Sequence, residues 1–158
     1  MKESTFSLIA PGLAGEIGLR IEKIRSGMEP DSALLIAGNV NILYSSGRFF
    51  RGYVWLPFRG TPLYFVIKPQ IFEPAENVVY IRKPEQIPDE LSKRGLSVPS
   101  AVGLEEDVLS YSDTLRLMKV FPQSEVFNST PVLRNARMVK TPYEIDCMRE
   151  DGRKQTAV

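Results

Sequence analysis

Residues 130–150 read Thr-Pro-Val-Leu-Arg-Asn-Ala-Arg-Met-Val-Lys-Thr-Pro-Tyr-Glu-Ile-Asp-Cys-Met-Arg-Glu and carry the clearest local signals in the chain. Thr141 can cap a helix, and Pro142 takes the first helical position, where a missing N–H costs nothing. Glu144 lies three residues after the cap and completes a capping box. The pattern predicts that a helix begins at about Pro142.

The residues on either side of this start extend the prediction. Ile145 and Met148 share one face at helical spacing, but the sequence turns polar at residues 151–154, when the helix has hardly begun. Upstream, Thr130 can cap an earlier helix with Pro131 at its first position. The stretch therefore predicts two consecutive helix starts.

The composition is that of one globular domain. The chain has 158 residues, of which 43% are hydrophobic and 25% charged, and its formal net charge is +1. Interspersed charges argue against nucleic-acid and membrane-surface binding, and no apolar run is long enough to span a membrane. Residues 1–6 lack the apolar core of a secretion signal. The single cysteine, Cys147, excludes an internal disulfide and is typical of a reducing compartment, so we expect a cytoplasmic protein.

The absence of histidine excludes several kinds of chemistry. A Ser-His-Asp triad, a Cys-His dyad, a zinc finger and an HExxH metalloprotease site all require it. A metal site would need carboxylates alone, and most acidic residues occur singly. The one acidic run, residues 105–107, follows a predicted strand and is interpreted as a solvated loop. No catalytic or metal-ligating residue is therefore predicted.

The order of elements predicts an α/β fold. An amphipathic helix starts at about Glu16, buries Ile17, Ile21 and Ile24, and ends at Gly27. Further predicted helices cover residues 84–94 and 110–121, besides those starting at 130 and 142. Predicted strands cover residues 33–37, 53–56, 63–67, 78–81, 100–104 and 125–128, and the turn at 57–62 makes an antiparallel hairpin of the second and third. No element is predicted for residues 39–47.

Two motifs carry a resemblance to a known family. Residues 133–149 have the pattern Leu-Arg-x-x-Arg-x-x-Lys-Thr-Pro-Tyr-Glu-Ile-x-x-Met-Arg. This pattern resembles the interdomain junction of the creatinase and Xaa-Pro peptidase (pita-bread, M24) family. Residues 41–47, with Asn41, Tyr44 and Gly47, resemble a segment that lies before the hairpin in that family. The resemblance extends from about Glu16 to Arg149.

The resemblance implies a fold and a role. The fold would be the creatinase N-terminal type, a ribonuclease-H-like mixed sheet in three layers with helices on both faces. Residues 1–140 would form this domain, and residues 141–158 would start a linker helix to a catalytic domain absent from the chain. The chain would be inactive alone and would serve subunit assembly and gating of the active site. Its partners would be that catalytic domain and a second subunit, in a cytoplasmic homodimer.

The parent enzyme and its alternatives stay open. The family implies a metal-dependent Xaa-Pro dipeptidase or aminopeptidase that activates a water with two divalent metals (Mn, Co or Zn), all held by the catalytic domain. A creatine-hydrolysing parent is a third option, because the discriminating residues would lie outside this chain. A different class of function is a free-standing peptide- or protein-binding module that has the same fold and no catalysis.

The resemblance also gives candidate site residues, because in several members loops of this domain reach over a neighbouring active site. The candidates for substrate gating or for an interface are Tyr44, Arg48, Phe49, Phe50, Arg51, Phe58 and Arg59. An arginine beside an aromatic ring suits a substrate carboxylate. The packing interpretation, in which the phenylalanines fill the core and the arginines are solvated, is favoured, and it extends to Tyr44, Trp55 and Cys147.

Overall fold

The structure is a computed structural model that describes residues 6–157. The expectation about a secretion signal concerns residues that lie mostly outside this range. The helices are α1 (Ala14–Arg25), α2 (Asn39–Ser46), α3 (Ile87–Lys93, preceded by a 3-10 turn at Pro84–Gln86), α4 (Tyr111–Val120), α5 (Thr130–Met138) and α6 (Pro142–Thr156). The strands are β1 (Ser32–Ile36), β2 (Arg51–Pro57), β3 (Leu63–Lys68), β4 (Val78–Tyr80), β5 (Ala101–Leu104) and β6 (Glu125–Asn128).

The strands form one mixed sheet in the order β4-β3-β2-β1-β5-β6. β2 is antiparallel to both β1 and β3, while the β1–β5, β5–β6 and β3–β4 pairs are parallel. The predicted hairpin is confirmed as β2 and β3. The chain fills one half of the sheet from β1 to β4 and then crosses to β5 on the other side of β1. The strand order therefore reverses between β1 and β5.

Helices cover both faces of the sheet and enclose two hydrophobic cores. One core packs α1, α2 and α5 against side chains that include Leu34 and Val54. The other packs α3 and α4 against side chains that include Leu35 and Trp55. Neighbouring residues of one strand enter opposite cores because strand side chains alternate between the two faces. The predicted three-layer α/β fold with a mixed sheet is confirmed.

Helix α2 is the element that the sequence pattern failed to predict. Its sequence, Asn-Val-Asn-Ile-Leu-Tyr-Ser-Ser, contains many residues of low helix propensity and buries Asn41, Ser45 and Ser46 on its inner side. Both serine hydroxyls bond carbonyl oxygens one turn earlier in the helix. Gly47, with φ of 79°, ends the helix in the left-handed conformation that glycine tolerates. Tertiary packing overrides local propensity here.

Helices α5 and α6 differ in detail from their predicted forms. Thr130 is the first residue of α5 and not its cap, because Ser129 precedes the helix and the Asn128 side chain accepts the Thr130 N–H. Helix α6 does not end in the polar segment but continues through it to Thr156. None of the residues within α6 is buried, so its continuation rests on the helix itself and on exposed pairs such as Glu150–Lys154.

Candidate functional site

A carboxylate lies buried at the point where the strand order reverses. Glu105 follows β5 and is fully buried, and its Oε2 accepts the N–H groups of Ala37 and Gly38 at the start of α2, the latter at 2.8 Å. The start of a helix attracts anions because its first N–H groups are unpaired and its dipole is positive there. Glu105 therefore occupies a place where many α/β proteins bind a ligand anion.

This position corrects the interpretation of the acidic run 105–107 as a solvated loop. Only Glu106 lies free on the surface, since Asp107 accepts the Thr130 hydroxyl and pairs with Arg134. The sequence gives one usable signal for Glu105, its place directly after a buried parallel strand. The signal alone does not predict the burial, because the donors of Glu105 lie just before and within α2, a helix that the sequence pattern does not predict.

Asn41 links the Glu105 carboxylate to helix α5, which leads into α6. Its side-chain amide donates to Glu105, and its oxygen accepts from Arg137 Nη1 at 3.0 Å. One turn later, the Tyr44 hydroxyl donates to the Ala136 carbonyl at 3.2 Å. The motif at residues 41–47 therefore contacts the motif at residues 133–149 through two side chains of α2.

The first turn of α6 is bound to α1 by a second set of contacts. The predicted capping box is confirmed, with Thr141 Oγ1 accepting the Glu144 N–H and Glu144 accepting the Thr141 N–H. The Thr141 hydroxyl donates to Glu16. Arg20 pairs with Glu16 at 3.0 Å and with Glu144 at 3.1 Å, and its guanidinium lies 4.9 Å from the centre of the Tyr44 ring. These three charged side chains are 10–14% exposed.

We call this connected set the junction network. Its members are Glu16, Arg20, Asn41, Tyr44, Glu105, Arg137, Thr141 and Glu144. Burial, reinforced by the nearby Glu144 charge, raises the pKa of Tyr44 to about 12. The two motifs that carry the family resemblance thus meet in one place, where they fix how α6 leaves the domain.

The predicted gating residues do not form one cluster. Arg51 begins β2 and Phe58 follows its end, so the two lie about 20 Å apart at opposite edges of the sheet. Arg59 is exposed beside Phe58 in the hairpin turn. Arg48 is half-buried and donates to the Ser7 carbonyl.

The two phenylalanines of the same segment have different surroundings. Phe50 is buried and makes edge-on contacts with the rings of Tyr64 and Phe72, whereas Phe49 is 64% exposed. Tyr44 and Trp55 are also buried, as the packing interpretation predicts. Only part of the predicted set therefore reaches solvent.

Phe49 and Arg51 line a crevice at the sheet edge where β1, β3 and β4 end. Its volume is about 810 Å³. The basic residues that line it are Arg51, Arg82, Lys83 and Arg116, and one carboxylate, Asp113, lies among them. Tyr53 also contributes, and burial raises the pKa of its hydroxyl. The other edge of the sheet holds a second, larger groove of about 1310 Å³ that includes Phe58 and Arg59.

A pair at the edge of the crevice shows how its cations bind carboxylates. Arg116 binds Glu85 in a two-pronged arrangement, with Nε–Oε1 at 2.5 Å and Nη2–Oε2 at 2.9 Å. The hydrogen bond from Arg116 lowers the pKa of Glu85 to about 2. The other three cations form no ion pair with any described residue.

Three further features bear on the predictions from the sequence. Among residues 6–157, no group of three or more His, Cys, Asp or Glu side chains is placed to hold a metal ion. Cys147 is exposed on α6, which contradicts its interpretation as a packing residue. In the same range, no helix is both long and apolar enough to cross a membrane.

A family model for the creatinase/prolidase N-terminal domain matches residues 20–139. The chain belongs to this family, as the two motifs predicted. The matched range contains the whole sheet and most of the junction network. No curated protein matches the sequence.

Solved structures with the same fold carry peptidase names. One is the aminopeptidase P, Xaa-Pro aminopeptidase, from Streptococcus thermophilus, with a TM-score of 0.59 and 16% identity over 78% of this chain and 99% of that one. A proline dipeptidase from Streptococcus pneumoniae gives a TM-score of 0.55 and 20% identity over 79% and 98%. A proline dipeptidase from Streptococcus agalactiae gives 0.56 and 20% over 73% and 96%. Identities this low establish the shared fold alone.

Proposed function

We propose that this chain is the non-catalytic N-terminal domain of a metal-dependent Xaa-Pro dipeptidase- or aminopeptidase-like hydrolase, in which it assembles subunits and gates the active site. The family assignment and the peptidase names of its structural relatives support the class. The observation that carries the role is the junction network, which fixes the first turn of α6 against α1 and so sets the direction in which the chain continues.

The remainder of α6 supports a role in assembly. Ile145 and Met148 lie on one face at helical spacing and are 39% and 61% exposed. An exposed apolar pair on a helix whose start is rigidly held suits burial against a following catalytic domain. We expect residues 141–158 to begin the linker to that domain, and a second subunit to complete a cytoplasmic homodimer.

The gating role concerns the exposed part of the predicted set. Phe49 and Arg51 stand at the crevice, where an aromatic ring and a guanidinium could limit the length of a bound substrate. In the full-length protein we expect Phe49→Ala to shift the preference toward longer Xaa-Pro peptides. Tyr111→Ala, which removes another exposed aromatic ring, is the control and should leave the preference unchanged. Equal preferences in both variants and the wild type would refute gating by Phe49.

The two divalent metals of such an enzyme do not fit this chain. The sequence has no histidine, and the described residues offer no acidic cluster. Mn, Co or Zn would be held by the catalytic domain, where they activate a water. We therefore expect the chain alone to leave an Xaa-Pro dipeptide intact with any of these metals present.

The test compares this chain with the product of its complete gene. If the gene encodes a following catalytic domain, the longer protein should hydrolyse Xaa-Pro dipeptides when Mn, Co or Zn is added, and light scattering should give the mass of a dimer. A longer protein that is inactive toward these dipeptides, or a gene that encodes no further domain, would refute the proposal.

The alternative is a free-standing binding module of the same fold without catalysis. The crevice favours it, because its unpaired cations could bind a partner without any catalytic domain. The same gene comparison separates the two: a chain that is complete as it stands would favour the binding module.

A further inference from the structure

The crevice has more positive charge than its own residues neutralise. Four cationic side chains line it against the single carboxylate of Asp113, and Glu85 engages only Arg116. The formal net charge of the whole chain is only +1, so this concentration is local and not a general property of the surface. Positive charge gathered in a concave site raises the local concentration of anionic ligands.

The cations come from three separate elements. Arg51 begins β2, Arg82 and Lys83 follow β4, and Arg116 lies on α4. They therefore surround the crevice and could meet several carboxylates along an extended ligand. The Arg116–Glu85 pair already holds a carboxylate in the two-pronged geometry that arginine favours.

Apolar and uncharged groups between the cations restrict which ligands fit the crevice. Phe49 and Val108 are 64% and 50% exposed and offer apolar contacts beside the charges. The Tyr53 hydroxyl has no hydrogen-bond partner among residues 6–157 and is available to a ligand. The volume, about 810 Å³, exceeds what one carboxylate needs and lies in the usual range of ligand sites.

The nearby helix start is closed to a phosphate group. Glu105 already binds the N–H groups of Ala37 and Gly38, and its negative charge would repel a phosphate group placed there. A β-carbon at position 38 would lie only 2.9 Å from Glu105 Oε1, which shows how tightly this carboxylate is packed. The other donors that line the crevice include its cationic side chains, which suit spaced carboxylates.

We infer that this crevice binds an acidic peptide segment of a partner protein, with carboxylates on Arg51, Arg82 and Lys83 and an apolar side chain against Phe49. The crevice is formed by this domain alone. Such binding therefore does not depend on a catalytic domain or on peptidase activity.

The test is a titration of the ¹⁵N-labelled chain with a synthetic hexaglutamate peptide, followed by amide chemical shifts. We expect shifts confined to the crevice, including Gly52 and Lys83, and weaker binding as salt increases. Arg51→Glu combined with Arg82→Glu should weaken binding about ten-fold or more, since like charges then face the peptide.

The matched control is Arg59→Glu combined with Arg153→Glu, which changes the net charge equally but lies outside the crevice. It should bind the peptide within about two-fold of the wild type, because long-range charge effects are screened by salt. Unchanged amide spectra away from the substitutions would confirm that both double variants are folded.

Four outcomes would overturn the inference. Shifts spread over the whole surface, or an equal loss of affinity in the control, would mean non-specific charge attraction. Glutarate, a single small dicarboxylate, is titrated in parallel, and binding as tight as that of the peptide would identify a small-anion site instead. An absence of shifts at millimolar hexaglutamate would exclude binding of acidic peptides.

Discussion

The first turn of α6 and the rest of the same helix are built in different ways. The first turn is held by the capping box of Thr141 and Glu144 and by the paired Arg20 side chain, all largely shielded from water. From Ile145 to Thr156, no residue is buried. The described hydrogen bonds and ion pairs that join α6 to other elements all lie in its first turn, and a short helix without packing is marginal in water.

The difference shows what the junction network stabilises. It joins α1, α2, α5 and the end of β5 to the start of α6 through buried polar groups. A polar group that loses its partner inside a protein costs more free energy than the contact itself gains. The network therefore fixes one geometry at the helix start, while the rest of α6 remains free to pack against something else.

The largest expected effect comes from the buried carboxylate. Glu105→Ala should lower the free energy of unfolding by about 3 kcal/mol, because it leaves the N–H groups at the start of α2 and the Asn41 amide without their acceptor. Chemical denaturation measures this. Glu106→Ala, an exposed neighbour, is the control and should change stability by less than about 0.5 kcal/mol. Equal effects of the two substitutions would contradict the assigned role of Glu105.

A second effect concerns alkaline pH. Burial raises the pKa of Tyr44 and of Tyr64 from 10.0 to about 12. Above pH 10 these tyrosines ionise in the unfolded chain but stay neutral in the folded one, so the unfolded state is favoured. The stabilisation is complete below pH 10 and is lost as the pH rises through 12.

Denaturation curves between pH 9 and 12 test this effect. The Tyr44→Phe and Tyr64→Phe double variant should be less stable at pH 9, because it loses the hydrogen bonds to Ala136 and Ser45, but its stability should fall less steeply above pH 10. Tyr111→Phe, at an exposed position, should follow the wild-type slope. A double variant with the wild-type slope would show that other groups cause the alkaline loss.

Removing the cation at the start of α6 should have a smaller effect. Arg20→Ala leaves Glu16 and Glu144 facing each other without their shared partner, which should destabilise the domain by about 1.5 kcal/mol after allowance for partial exposure. Thermal or chemical denaturation measures the change. Arg149→Ala removes only an exposed pair with Asp146 and should be nearly neutral. If Arg20→Ala left the free energy of unfolding unchanged, the junction network would not be what holds the start of α6.

The smallest effect is expected in the rest of the helix. Ile145→Ala combined with Met148→Ala should change the stability of this chain by less than about 0.5 kcal/mol, because both side chains are exposed. In a longer protein where these side chains pack against another domain, the same change should cost several times more. A large loss in the chain alone would mean that α6 packs on the domain in solution.

Local patterns in the sequence predicted the features that depend on neighbouring residues. The capping box at Thr141, the apolar row of Ile17, Ile21 and Ile24, and the hairpin all follow from spacing along the chain. The features that these local patterns did not predict depend on residues far apart in the sequence. Glu105 is buried because Ala37, Gly38 and Asn41 supply donors 64–68 positions earlier in the sequence.

The candidate site residues show the same limit of prediction from local sequence. Phe49 and Phe50 are adjacent and chemically identical, and the sequence alone does not tell which one is buried. The structure places Phe50 against Tyr64 and Phe72 and leaves Phe49 at the crevice. The resemblance gave both Arg51 and Arg59 as candidates, but Arg51 begins the seven-residue strand β2 and Arg59 lies beyond its other end.

Amide hydrogen exchange along α6 tests most directly whether the junction network fixes only the start of this helix. In the wild type, the amides of Glu144 and Ile145, which bond Thr141, should exchange slowly, and those beyond Met148 should exchange fast. In Arg20→Ala, the two protected amides should become fast while β1 remains protected. Uniform protection along α6, or unchanged protection in Arg20→Ala, would contradict the account.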